Sequence, residues 1–168
     1  MLARLAPWRR RDTRPATPPL RPARPGDAAM LALILADWNR RTDWLPEVHS
    51  PDELHILAAA LVERLEVVVT GDPAQGFLAR DGGMVHALYV LPALHGIGIG
   101  KRLLDHAKAG SAELTLWCHQ ANTRARGFYA RQGFHEVETG DGSGNDEGLP
   151  EVRLLWRRAT RMGRAGDG

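Results

Sequence analysis

The chain has 168 residues, of which 43% are hydrophobic and 25% are charged, the composition of an ordinary globular domain. This composition excludes a wholly disordered chain, because there is enough apolar surface to form a core. The longest apolar runs, such as residues 28–36 and 56–62, are shorter than the ~20 residues of a membrane-spanning helix. The single cysteine, Cys118, excludes an intramolecular disulfide framework.

The net charge of +2 conceals an uneven distribution along the chain. Residues 1–24 carry a net charge of +6 and residues 157–168 a net charge of +3, which leaves −7 for residues 25–156. A nucleic-acid-binding domain would carry its basic residues on the folded body. The acidic body instead predicts a cationic substrate.

The two ends differ in composition from the middle of the chain. Residues 1–19 hold four prolines and no apolar periodicity, and we predict a disordered Arg/Pro-rich extension there. Residues 158–168 are predicted to be a disordered tail, which leaves residues 20–157 as a single domain. The arginine pair near the start is followed by no apolar segment of the kind found in export signals, so we expect a cytoplasmic protein.

Residues 20–91 alternate between strand and helix patterns. Ser50-Pro51-Asp52-Glu53 is a capping box with proline at the first helical position, which predicts the start of a helix. Asp27 is the predicted N-cap of an earlier helix. The predicted elements are a strand at 20–24, helices at 27–38 and 51–64, and strands at 66–70, 76–80 and 84–91. The second helix is expected to bury Leu54, Leu57, Leu61 and Leu65, and Asp81-Gly82 is expected to form a hairpin turn.

The second half continues with a glycine-rich loop and further alternation. We predict a helix at 98–109, a strand at 113–118, a helix at 122–132, and final strands at 134–138 and 152–156. The order β-α-α-β-β-β-α-β-α-β-β predicts an α/β fold with a mixed central sheet flanked by helices.

The glycine-rich loop, residues 94–101, leaves a strand and enters a helix. Its free backbone N–H groups suit a phosphate or pyrophosphate, and Lys101 adds positive charge. The alternative is a tight turn without a ligand. A Walker A loop is excluded because His95 stands where it needs glycine and Arg102 where it needs Ser or Thr. The glycine spacing also differs from the dinucleotide-binding fingerprint.

The loop His95-Gly96-Ile97-Gly98-Ile99-Gly100 resembles the signature of the GNAT-type N-acetyltransferases, with His in place of the usual Gln or Arg. Residues 88–92 resemble the cofactor strand of that family. A second motif runs from Asn122 through Phe128-Tyr129 to residues 132–134, and residues 141–153 are similar to one bacterial branch. The resemblance covers residues 20–157 and implies acetyl-CoA, or another acyl-CoA, as the donor to a primary amine. It leaves the acceptor open among amino acids, polyamines, aminoglycosides and protein lysines.

The resemblance implies roles for individual residues. Tyr129 matches the family's general acid, and Phe128 is interpreted as packing. Met84 stands where the family often has a glutamate base. His86, two residues later and expected on the same strand face, is our first candidate base, with His119 and Glu147 as alternatives. The implied cofactor-binding residues are Leu88, Tyr89, Val90, His95, Gly96, Ile97, Gly98, Ile99, Gly100, Lys101 and Asn122.

The implied acceptor site lies near the loop between the first two helices. Trp44, His119 and Glu147 are the predicted substrate-binding residues. We expect a small-molecule or peptide amine as partner, no nucleic acid, no membrane and no metal, and leave a homodimer open. Cys118 is interpreted as packing. Two alternatives remain: a non-catalytic acyl-CoA sensor, favoured by Met84, and a protein that holds nucleic acid through its Arg-rich ends.

Overall fold

A computed structural model describes residues 17–159, so most of the predicted N-terminal extension and C-terminal tail lies outside the described residues. The strands are β1 (Leu20–Pro22), β2 (Glu66–Thr70), β3 (Gly76–Asp81), β4 (Met84–Val90), β5 (Glu113–His119), β6 (His135–Gly140) and β7 (Glu151–Arg157). The α-helices are α1 (Ala28–Arg40), α2 (Pro51–Arg64), α3 (Ile99–Ala109) and α4 (Thr123–Arg131). The predicted order of strands and α-helices is confirmed.

The seven strands form one sheet in the order β1-β2-β3-β4-β5-β7-β6. All neighbours are antiparallel except β4 and β5, which run parallel. Two parallel strands must be joined by a crossover connection, which is usually a helix, and α3 forms this connection between β4 and β5. The mixed α/β sheet predicted from the sequence is therefore confirmed.

Helices cover both faces of the sheet, and a separate hydrophobic cluster forms on each side. On one face α1 and α2 pack on β2 and β3 around Phe77 and Val69, both fully buried. On the other face α3 packs on β2, β3 and β4, and it shares with α4, β5 and β7 a cluster around Leu103, Leu104 and Leu114. The sheet is thus a rigid support whose central strands carry the site described below.

The start of α2 is determined by its own sequence. The Ser50 hydroxyl accepts a hydrogen bond from the Glu53 N–H, and the Glu53 carboxylate accepts one from the Ser50 N–H, which confirms the capping box. The burial prediction was wrong for Leu57, which is 42% exposed, while Ala58 is fully buried. The inward stripe of α2 passes through Leu54 and Ala58, because the helix presents its i, i+4 row to the sheet.

Asp27 takes a different role from the predicted cap. It stands at the N-cap of α1, but its side chain makes no capping hydrogen bond to that helix. Its carboxylate instead accepts two hydrogen bonds from the Arg21 guanidinium, at 2.8 and 2.7 Å, and one from the Arg24 N–H at 2.7 Å. Asp27 therefore ties β1 to the beginning of α1.

Strand β4 contains an irregularity at His86. Ala79 of β3 pairs with Ala87, but the next residue, Arg80, pairs with Val85, so His86 is an extra residue on β4. Such a bulge interrupts the alternation of side chains between the two faces. Val85 and Ala87 accordingly belong to opposite hydrophobic clusters. Simple alternation along β4 therefore cannot be used to place His86 on the same face as Met84.

The described ends of the chain make contacts with the domain. The Pro18 carbonyl accepts hydrogen bonds from Thr70 Oγ1 at 3.1 Å and from Arg102 at 2.9 Å. The Arg158 guanidinium donates to the carbonyls of Lys108 and Ala109, each at 2.8 Å. Residues 18 and 158, placed by the sequence in the flanking segments, thus pack on the domain. Within residues 17–159, every helix is too short or too polar to cross a membrane.

Candidate active site

The parallel strands β4 and β5 separate along their length and open a cleft. Their register contains one pair, Met84 with Thr115, supported by a 2.8 Å hydrogen bond from the Thr115 N–H to the Gly83 carbonyl. Beyond this point the two strands diverge around a cavity of about 580 Å³, which is lined by residues 85–90 of β4 and 116–119 of β5. This volume lies within the range of small-molecule sites.

The edge of β4 that faces this cleft carries backbone groups that do not pair with β3. The Leu91 N–H donates to the Gln75 carbonyl at 2.9 Å, and Tyr89 pairs with Phe77 of β3. Because alternate residues of an antiparallel strand point to opposite edges, Leu88 and Val90 direct their N–H and C=O groups away from β3. Their N–H groups can therefore hydrogen-bond a carbonyl placed in the cleft.

The glycine-rich loop forms one end of the cavity. Gly96 and Gly98 have φ values of +83° and +91°, a conformation in which a side chain is strained, and a Cβ at either position would meet no atom within 4 Å. Within residues 17–159, no protein group accepts a hydrogen bond from the N–H groups of residues 96–101. These donors, with open space at Gly96 and Gly98, fit a bound pyrophosphate. The buried Ile99 anchors the start of α3 to the core.

Three predicted cofactor residues have specific contacts of their own. His95 Nε2 lies 2.9 Å from the Val90 carbonyl, so its ring joins the loop to the open edge of β4. Asn122 Oδ1 accepts a hydrogen bond from the Ala125 N–H and caps α4, while its amide NH₂ donates to no group within residues 17–159. The exposed Lys101 forms an ion pair with Asp105, one helical turn later.

The cavity has two basic residues that sequence reasoning missed. Arg124 and Arg131 of α4 both line it, together with Lys101 of α3. Their guanidinium groups add positive charge to the cavity lining, which suits phosphate groups. Arg124 lies inside the motif that begins at Asn122, and its place in that motif could have identified it as a cofactor-binding residue.

Tyr129 is buried, with 8% of its surface exposed, and lines the cavity next to Phe128. Its ring packs edge-to-face on Phe128 at 5.2 Å and on Phe134 at 5.4 Å between centroids. Burial raises the pKa of Tyr129, with smaller contributions from the nearby Cys118 and Tyr89. Its hydroxyl therefore stays protonated throughout the neutral range.

The candidate bases lie at different places along the cavity. His86 lines it and is exposed, on the bulge of β4, whereas Met84 stands at the point where the strands still pair. His119 ends β5 and also lines the cavity. Its Nε2 is 3.8 Å from the Glu147 carboxylate, and its Nδ1 is buried with no hydrogen-bond partner in the described part of the chain.

A row of aromatic ring contacts begins at His119. The Trp44 and His119 ring centroids are 5.6 Å apart, Trp44 and Trp38 are 6.1 Å apart, and Trp38 and Tyr89 are 5.3 Å apart. These contacts bring together Trp44, His119 and Glu147, the three predicted substrate-binding residues. Trp38 was missed, because its position at the end of α1 showed only a helix pattern.

The Tyr89 hydroxyl and the Cys118 thiol are both held in their neutral forms. Burial, reinforced by the Glu147 carboxylate, raises the pKa of Tyr89 to about 12. Burial raises the pKa of Cys118 to about 11, which agrees with its interpretation as a packing residue. The thiol is therefore unsuited to act as a nucleophile at neutral pH.

Comparison with known proteins places this geometry in a family. The model of the Acetyltransferase (GNAT) domain matches residues 55–136. The peptidyl-lysine N-acetyltransferase YjaB of Salmonella typhimurium is 33% identical over 123 residues, which span 70% of this chain and 83% of that protein. The chain belongs to the GNAT acetyltransferase family.

Solved structures of GNAT proteins share the fold. The solution structure of apo-form YjaB from Escherichia coli has a TM-score of 0.69 and 25% identity, over 82% of this chain and 95% of that chain. An acetyltransferase from Salmonella typhimurium, solved with its cofactor acetyl-CoA, has a TM-score of 0.60 and 20% identity, over 83% and 92% of the two chains.

As a GNAT protein, the chain is an acyltransferase that uses acetyl-CoA as its donor. The free N–H groups of the glycine-rich loop and the positive φ values of Gly96 and Gly98 fit this donor. Family membership favours the enzyme over the non-catalytic sensor that the sequence left open.

Proposed function

We propose that this protein transfers an acetyl group from acetyl-CoA to a primary amine by direct attack of the amine on the thioester. The observation that supports it most is the open edge of β4, where the N–H groups of Leu88 and Val90 face a cavity lined by Tyr129. Donors at this place would stabilise the negative charge that develops on the thioester oxygen during the attack.

In this proposal Tyr129 donates its hydroxyl proton toward the departing thiolate. The reaction forms a C–N bond, breaks the C–S bond and releases a thiol. A protonated hydroxyl is required at that moment, and the burial of Tyr129 keeps it protonated. The loop of residues 95–101 and Asn122 hold the donor molecule, with Arg124 and Arg131 near its phosphates.

The incoming amine must lose a proton, since an alkylammonium with a pKa of about 10.4 is almost fully charged at neutral pH. We retain His86 as the proposed base, because it lines the cavity on the bulge of β4. His119 remains the alternative. In a test at rising pH, the defect of His86→Ala should shrink as free amine becomes abundant, whereas a structural role would leave a defect that does not depend on pH.

The acceptor class follows from the relatives. Two YjaB proteins matched over 70% of this chain are named peptidyl-lysine N-acetyltransferases. We therefore propose a lysine side chain of a protein or peptide as the acceptor, and a cytoplasmic location, where acetyl-CoA is available.

The test is an acetylation assay with lysine peptides, free amino acids, polyamines and aminoglycosides, followed by thiol release and by the mass of the product. Thiol release that depends on a lysine peptide, with one acetyl group gained on its side chain, is the expected result. Turnover restricted to one of the other amines would contradict the proposed acceptor, and hydrolysis of acetyl-CoA without acetylated product would contradict the proposed transfer.

A further inference from the structure

We infer that the acceptor enters as a charged alkylammonium and that its head is recognised between the Glu147 carboxylate and an aromatic wall formed by Trp38, Trp44, Tyr89 and His119. This inference rests on the amine acceptor proposed above. It adds the charge state in which the amine binds and the residues that select it.

The aromatic wall is assembled from four separate parts of the chain. Trp38 lies on α1, Trp44 on the loop that follows it, Tyr89 on β4 and His119 at the end of β5. The rings pack edge-to-face, with interplanar angles of 72° for Tyr89 and Trp38, 79° for Trp38 and Trp44, and 70° for Trp44 and His119. Three of them, Trp38, Tyr89 and His119, also line the cavity. Preorganised aromatic rings attract cations through their π faces.

The spacing of His119 and Glu147 leaves a place for a donor. Their closest nitrogen and oxygen atoms are 3.8 Å apart, too far for a direct hydrogen bond. One ammonium nitrogen at ordinary hydrogen-bond distance from both atoms can bridge this gap with two of its protons. The His119 and Glu147 side chains are only 18% and 22% exposed, so the bridged position is partly shielded from water.

The carboxylates near His119 have no lysine or arginine partner. Within residues 17–159, neither Glu147 nor Glu151 forms an ion pair with a lysine or arginine. Glu147 lies beside His119, which lines the cavity, and Glu151 lines the cavity itself. Negative charge is therefore available next to the aromatic wall, which favours a cationic acceptor over a neutral one.

The test uses the full-length protein, with CoA bound, and three peptides that differ at one residue: lysine, Nε-trimethyl-lysine or norleucine. CoA carries no acetyl group, so the lysine peptide binds without reacting. Trimethyl-lysine keeps the positive charge but has no N–H group to bridge His119 and Glu147, and norleucine lacks both the charge and the N–H groups. Calorimetry should show that the lysine peptide binds at least roughly 10-fold more tightly than the norleucine peptide, with the trimethyl-lysine peptide between them. Equal affinities for the lysine and norleucine peptides would overturn the inference.

Variants then assign the recognition to named residues. Glu147→Gln should weaken binding of the lysine peptide roughly 10-fold and leave acetyl-CoA binding unchanged. Trp44→Leu should weaken it as well, whereas Trp44→Phe, which retains an aromatic ring, should restore most of the affinity. Asp146→Asn is the matched control, because Asp146 is the neighbouring acid on the same loop and its side chain is 79% exposed. Unchanged affinity in Glu147→Gln would overturn the role given to this carboxylate.

Acetylation of the lysine peptide, measured in parallel, separates the two proposals. A wild-type protein that acetylates this peptide but binds the lysine and norleucine peptides equally contradicts the ammonium site alone. A protein that selects the charged peptide but acetylates no amine contradicts the proposed transfer and supports the site.

Discussion

At the scale of single residues, His95 shows how a departure from the family signature is accommodated. The family usually has Gln or Arg at this position, whereas here a histidine ring bonds the Val90 carbonyl at 2.9 Å. Because a carbonyl only accepts, Nε2 must carry the proton in this contact. The side chain thus fixes the loop against the open edge of β4, and the backbone N–H groups remain free for the donor.

Tyr129 supports a prediction about the chemical step. Tyr129→Phe keeps the edge-to-face packing on Phe128 and Phe134 and removes only the hydroxyl. We expect kcat to fall by ~10²–10⁴, the usual contribution of a positioned acid, because the proton is needed only as the C–S bond breaks. The measurement is steady-state turnover with the true acceptor, and calorimetry of acetyl-CoA binding is the control. Wild-type turnover under conditions where chemistry limits the rate would disprove the acid role.

At the scale of elements, the junction between the glycine-rich loop and α3 determines donor binding. Gly98→Asp places a carboxylate beside the free N–H groups at the start of α3, where it competes with a phosphate for the same donors. We expect the affinity for acetyl-CoA to fall by at least roughly 10-fold through charge repulsion and this competition.

Gly98→Ala is the matched control, because it adds the same backbone strain at φ +91° without charge, and its Cβ would meet no atom within 4 Å. It should bind acetyl-CoA nearly as well as the wild type. Calorimetry on both folded variants provides the comparison, and equal affinity in Gly98→Asp would contradict the phosphate-binding role of the loop.

The link between β1 and α1 leads to a prediction about pH. Hydrogen bonds from the Arg21 guanidinium hold the pKa of Asp27 below its usual value. Because this pKa is lower in the folded than in the unfolded state, the ion pair stabilises the folded protein fully at pH values above the unfolded pKa of about 3.9. This stabilisation is lost as the pH falls through the folded pKa. Asp27→Asn should therefore lower the free energy of unfolding by about 2 kcal/mol at neutral pH, and this deficit should shrink in acid.

The control for Asp27 is Asp72→Asn. Asp72 lies 3.9 Å from Arg21 and 3.7 Å from Arg24, but its side chain is 73% exposed. Its loss should change the free energy of unfolding by less than about 0.5 kcal/mol, because exposed ion pairs contribute little. Urea denaturation at several pH values measures both variants, and a deficit in Asp27→Asn that grows in acid would be the opposite of the expected sign.

At the scale of the whole molecule, the acidic body and the basic ends have separate consequences. The lining of one cavity in the domain holds Lys101, Arg124 and Arg131 together with the carboxylate of Glu151. The arginine excess of residues 1–24 lies mainly in a segment for which the sequence predicts no fixed structure. The domain boundary is therefore open to direct test.

Deletion of residues 1–16 should leave the free energy of unfolding unchanged, because this segment has no apolar stripe to bury. Deletion of residues 1–19 should lower it by about 1–2 kcal/mol, because it removes the Pro18 carbonyl that accepts hydrogen bonds from Thr70 and Arg102. Thermal and denaturant unfolding of the two truncated proteins measures the difference. Equal stability of both would show that the Pro18 contacts contribute nothing.

The sequence alone determined the order of the strands and helices and the glycine-rich loop, because both depend on local signals. These local signals include the capping box at Ser50, the hairpin at Asp81-Gly82 and the apolar periodicity. Each of them acts over a few residues and is present in the folded protein. The motifs at residues 95–100 and 122–134 were equally visible in the chain, and they carried the family resemblance.

Tertiary structure decided the features that depend on distant partners. The bulge at His86 arises from pairing with β3, so counting residues along β4 could not show that its alternation is interrupted. The carboxylate of Asp27 meets Arg21 rather than its own helix, because the bidentate ion pair competes successfully with the cap. The aromatic wall joins residues from α1, a loop, β4 and β5 that only the folded sheet brings together, since ring packing carries no signature in the linear sequence.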